Sequence, residues 1–176
     1  MAEKKLYDNL FKVIKANSGP IAANDVVLTE ILDLQIPRNY AARIRRVIFT
    51  DNVNGDQLDQ EGFFFRGALV LDPDDENTNL IPTFTVDHDV LCDFEHEYER
   101  FEEDTTPNGI SVIHNKCTVY DFDETLDVVT VRNIRFNMTG NGLAVGGDAE
   151  AQVKVVVYFT YERVSVDLYA KLLGIS

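Results

Sequence analysis

Apolar residues recur along most of this chain with a period of two, and the front of the chain is the exception. In residues 3–17, Leu6, Leu10, Phe11 and Ile14 fall at i, i+4, i+5 and i+8, which predicts an amphipathic helix. Lys4, Lys5, Lys12 and Lys15 lie on or beside its other faces, and Asn17-Ser18-Gly19-Pro20 ends it. A basic amphipathic helix at a terminus suits a membrane surface, a neighbouring subunit or the domain's own core.

Beyond that point the runs read as strands. Residues 25–36 are rich in β-branched side chains and stop at Pro37. Residues 40–50 alternate, with Ile44, Arg46 and Ile48 expected on one face and Arg43, Arg45, Val47 and Phe49 on the other. Further strands are expected over 62–71, 80–86, 109–122, 126–139 and 151–164, with turn residues between them. Residues 87–103 fit either period. Strand is preferred, because the alternation is nearly unbroken and sets Val90, Cys92, Phe94 and His96 against Leu91, Asp93, Glu95 and Glu97. In 151–164, Val153, Val155, Val157 and Phe159 share one face and Lys154, Val156, Tyr158 and Thr160 the other. Both faces are mostly apolar, so this strand is expected to be covered on both sides.

About eight strands without βαβ alternation predict an all-β fold, an antiparallel eight-stranded jelly-roll sandwich with short N-terminal and C-terminal helices. Residues 1–20 form the helical arm and 21–176 a single domain, whose helical tail covers 165–174. The chain has 176 residues, enough for one core. No apolar run approaches the roughly 18 residues of a membrane-spanning helix, and the N-terminus lacks a signal peptide's apolar core. Synthesis in the cytoplasm follows as an expectation.

The net charge of −14 is unevenly placed. Residues 1–70 hold nine Lys/Arg and nine Asp/Glu, whereas residues 72–104 hold thirteen acids and one base, Arg100. Such a surface repels phosphate backbones, so direct nucleic-acid binding is not expected. The one basic concentration, Arg43, Arg45 and Arg46, is expected to pair with the acids after Asp72, within the chain or across a subunit contact.

Candidate chemistry is sparse. His88, Cys92 and His96 stand four apart, but on a strand neighbours so spaced are roughly 13 Å apart, too far to share a zinc ion. Asp72, Asp74, Asp75, Glu76 and Asn77 offer oxygens for calcium, without the EF-hand spacing. Nucleophile-elbow, P-loop and dinucleotide motifs are absent, and no cofactor is implied. Cys92 and Cys117 both sit inside strand-like runs and are expected to be buried thiols. They would lie opposite each other if their strands formed a hairpin about 104–109, which allows a bridge without requiring one.

The amphipathic N-terminal segment, the stretch LDLQIPRNYAARIRRVIFTDNV and the closing VKVVVYFTYERVSVDLYAKLL give the chain its family likeness. Taken whole, it resembles the single-jelly-roll capsid proteins of icosahedral viruses, particularly the small shell proteins of membrane-containing archaeal and bacterial viruses. The resemblance implies a structural, non-enzymatic protein of the virion that assembles with itself into a shell. It allows a second coat protein and, in some members, an underlying membrane. Leu6, Leu10, Phe11, Ile14, Arg43, Arg45, Arg46, Leu168, Leu172 and Leu173 are the candidate assembly contacts. Two other readings compete: a ligand- or carbohydrate-binding β-sandwich, which the lack of Trp disfavours, and a metal-dependent jelly-roll enzyme using His88 or His96.

Overall fold

The computed structural model describes residues 11–19, 26–54, 62–71, 90–99, 114–122, 128–141 and 150–173. Among them are nine strands, β1 (Lys12–Asn17), β2 (Val26–Leu32), β3 (Tyr40–Asn54), β4 (Gly62–Val70), β5 (Val90–Glu99), β6 (His114–Asp121), β7 (Val129–Thr130), β8 (Ile134–Asn141) and β9 (Glu150–Arg163), and one helix, α1 (Val166–Leu172). The strands form two antiparallel sheets. The first has the order β1-β9-β3-β6, with the short β7 beside β3, and the second the order β2-β8-β4-β5. The pairing is nested: β4 with β5, β3 with β6, β2 with β8, β1 with β9. The all-β sandwich is the one expected from the alternation.

Alternation also fills the core. Val153, Val155, Val157 and Phe159 of β9 face the second sheet, which sends back Phe65, Leu69, Phe94, Ile134, Phe136 and Met138, all buried. Phe49 of β3 stands at the centre, stacked on Phe94 at 4.7 Å between ring centroids and near Phe136 at 6.1 Å. Burying each such ring contributes on the order of 2–3 kcal/mol. At Gly67 of β4 a side chain does not fit. A Cβ there would stand 2.6 Å from the Phe94 ring and 2.8 Å from the Asn137 carbonyl oxygen.

Where β5 and β6 form one flank of the sandwich, side chains tie the sheets together. His96 of β5 hydrogen-bonds through Nδ1 to Asp51 Oδ2 of β3 at 2.8 Å and through Nε2 to Thr118 Oγ1 of β6 at 2.7 Å. Asp51 Oδ1 also accepts the backbone N–H of Lys116, at 2.9 Å. Both Asp51 and His96 are buried. The Tyr120 hydroxyl donates to the Asp93 carbonyl at 2.7 Å, and the Lys116 ammonium reaches the Glu97 carbonyl. Burial, together with the nearby Asp93 carboxylate, pushes the Tyr120 phenol up to about 12. The link from β2 to β3 is strapped down likewise: Tyr161 donates to the Leu34 carbonyl at 2.7 Å, and the Leu34 N–H to the Asn133 side chain at 2.9 Å. Asn39, with φ of 63°, turns the chain into β3.

Four expectations are corrected. Residues 12–17 are strand, not the second half of a helix, because they find an edge: Ile14 pairs with Val157 and Ala16 with Val155, and pairing outweighs a short segment's helical period. Residues 1–10 lie outside the described residues, as do 80–86 and the acidic loop 72–77. Residues 40–50 do not alternate throughout. A bulge at Arg45 shifts the register, so Ile44 and Val47 both face inward while Arg46 and Ile48 face out. The expected strand 126–139 is two strands in different sheets, broken at Arg132, whose N–H donates to Thr130 Oγ1 at 3.0 Å. Finally, β5 and β6 form no hairpin. Cys92 and Cys117 are free thiols, one buried and one exposed.

Candidate assembly surface

The outer face of the first sheet follows from the register. Cross-strand partners share a face, so Lys15 of β1, Val156 of β9, Ile48 of β3 and Val119 of β6 form one row across the sheet. The next row holds Val13, Tyr158, Arg46 and Asp121. Val156, Ile48 and Tyr158 are half-buried, and Val119 and Val13 remain 49% and 47% exposed. Three β-branched residues abreast, with a valine and a tyrosine beside them, make a contiguous apolar patch on the outside of a strongly acidic protein. The Arg46–Asp121 ion pair borders it. The bond to Asp121 raises the Arg46 guanidinium above its ordinary value.

The second sheet's outer face differs in kind. There β5 presents Asp93, Glu95 and Glu97, as its alternation predicted, and Arg66 of β4 pairs with Glu95 directly across the ladder. The other candidate chemistry stays dispersed. Cys92 and His96 lie on the inner face of β5 four residues apart, and burial pushes the Cys92 thiol up. His88 lies outside the described residues. Among the described residues no group of three or more His, Cys, Asp or Glu is placed to hold a metal ion.

The residues singled out from sequence are scattered over this framework. Leu6 and Leu10 lie outside the described residues. Phe11 precedes β1 and is 64% exposed, whereas Ile14 points inward against the core, so on a strand the two no longer share a face. Arg43 pairs with Glu162 at 2.6 Å, Arg45 reaches the same carboxylate at 3.6 Å, and Arg46 takes Asp121. These pairings are within the chain and do not involve the acids of 72–104. Leu168 of α1 is exposed, and Leu172 and Leu173 are half-buried. Ser165 caps the helix through the Leu168 N–H, and Arg132 donates to the Leu173 carbonyl at 3.0 Å. The patch residues Val13, Ile48 and Val119 were missed. The second apolar face of β9 was their one signal, and it needed the register of three neighbours to become a surface.

No protein-family model matches the chain, and no curated protein matches it in sequence. Among solved structures it is similar to the VP2 subviral particle of infectious bursal disease virus, at 11% identity over 90% of this chain and 39% of that one, with a TM-score of 0.34. It is also similar to a structure of the Gx strain of infectious bursal disease virus, at 12% identity over 90% of this chain and 38% of that one, with a TM-score of 0.26. The chain thus spans about two fifths of the length of these viral chains.

Proposed function

We propose that this chain is a structural protein that self-assembles into a closed, capsid-like shell and has no catalytic role. The observation that carries the reading is the outward apolar row Val156, Ile48 and Val119, flanked by Val13 and Tyr158. Left in water it is a solubility liability, and burial against another copy would exploit it. The nested strand order supports the same reading. β1-β9-β3-β6 facing β2-β8-β4-β5 fits a single jelly roll, an architecture on which shells are built, although architecture alone decides no function. The acidity of the C-terminal part suits protein partners over a genome. Virion localisation belongs to this reading, and a second coat protein and an underlying membrane are the partners to seek in native material.

Sedimentation velocity on the purified chain over rising concentration tests the proposal, with Val119→Asp as the variant. Val119 is exposed, so the substitution leaves the fold intact while placing a charge in the row. The expected result is a large assembled species for the wild type and its loss in the variant, with unchanged circular dichroism. A variant that assembles as well as the wild type would sink the assignment of this face.

A further inference from the structure

The two flanks of the sandwich are chemically unlike. β1 lies beside β2 on one, and β5 beside β6 on the other. β1 (KVIKAN) carries Lys12 and Lys15 and no acid, and Lys154 of β9, opposite Asn17, adds an exposed cation next to it. β2 brings one acid, Glu30. On the far flank β5 (VLCDFEHEYE) carries Asp93, Glu95, Glu97 and Glu99 with no Lys or Arg, while β6 balances Lys116 against Asp121. Each flank also exposes apolar side chains: Phe11 and Val13 on the basic one, Val119 on the acidic one.

We infer that neighbouring copies of this chain meet head to tail, the basic β1 flank of one against the acidic β5–β6 flank of the next. This rests on the shell reading and says which surfaces meet. Like flanks would set lysines against lysines or carboxylates against carboxylates, whereas unlike flanks attract and steer the encounter. Within the first sheet β1 and β6 each have a single hydrogen-bonded neighbour among the described residues, so their outer backbone edges face the contact. Charged side chains on such edges block indiscriminate strand pairing and admit a partner of opposite charge. A heterologous contact of this kind repeats from copy to copy, and closes into a ring where the rotation permits.

The test is a charge swap in the full chain. Lys15→Glu with Lys154→Glu makes both flanks acidic and leaves Lys12 over the Tyr161 ring. Glu95→Lys with Glu97→Lys leaves two acids against two lysines on β5 and so cancels the acidic flank's charge, and Glu97→Lys alone, which halves it, serves where loss of the Arg66 pair disturbs folding. Each variant alone is expected to lose self-association by on the order of tenfold or more. An equimolar mixture is expected to recover association, because the first variant's acidic β5 flank still meets the second's basic β1 flank, and added salt to weaken the wild-type contact. Variants that assemble as the wild type does, or a mixture no better than its components, overturn the head-to-tail contact and leave the shell reading standing. A wild-type chain that stays monomeric overturns both.

Discussion

Asp51 offers the sharpest test of how the sandwich is closed. Its two carboxylate oxygens have separate duties, Oδ1 accepting the Lys116 N–H and Oδ2 bonding His96 Nδ1, and the residue is buried. Asp51→Ala removes both at once and strands a backbone donor and an imidazole nitrogen away from water. At about 1–3 kcal/mol for each orphaned group, the loss comes to about 2–6 kcal/mol. For a chain of this length that lowers Tm by roughly 4–24 °C. Asp51→Asn should behave differently. Its amide oxygen can still accept from Lys116, and its NH2 can donate to Nδ1 once the imidazole takes the other tautomer, with Nε2–H then donating to Thr118 Oγ1. That rearrangement keeps every group paired, so the expected cost is under about 1.5 kcal/mol. Thermal and urea unfolding of the two variants supply the comparison. If Asp51→Asn is as damaging as Asp51→Ala, or if both are neutral, the clasp does not work as described.

Three further outcomes follow from the same geometry. Gly67→Ala forces a methyl group against the Phe94 ring and the Asn137 carbonyl, so the urea midpoint should fall by the equivalent of about 1–3 kcal/mol, and an unchanged midpoint would refute the close packing. Tyr120 is held protonated in the fold, its phenol raised from 10.0 to about 12. Its contribution is therefore complete below pH 10 and is lost as pH climbs towards 12, and Tyr120→Phe should flatten the fall in urea midpoint over that window. Cys117 is exposed and Cys92 buried, so a thiol reagent should label one cysteine in the native protein and two after denaturation; rapid labelling of both in the native state would contradict the packing of β5.

How far the sequence could be read depended on whether a feature is local. The inward row Val153, Val155, Val157 and Phe159, and the outward acids of β5, were legible because alternation reports which side of a strand meets the core. The bulge at Arg45 was not, since an inserted residue leaves no compositional trace, and its carbonyl is satisfied by the distant Phe122 N–H at 2.9 Å. Residues 12–17 misled because Ile14 fits a helical face with Leu10 as readily as a strand face with Ala16, and β9 settles the matter. The split between β7 and β8 hides in a run with neither Gly nor Pro, where Thr130 and Asn133, bonding to backbone, hold the crossover. The outward apolar patch needed most context. Val119, Ile48 and Val156 are far apart in sequence and meet only through the registers of β6, β3 and β9.

The central claim is that this chain builds a shell, and electron microscopy of the purified chain at assembling concentration tests it most directly. The account predicts regular, closed particles of uniform diameter that vanish when Val119 is replaced by Asp. A field of dispersed monomers at every concentration, with no particle formed, would contradict it.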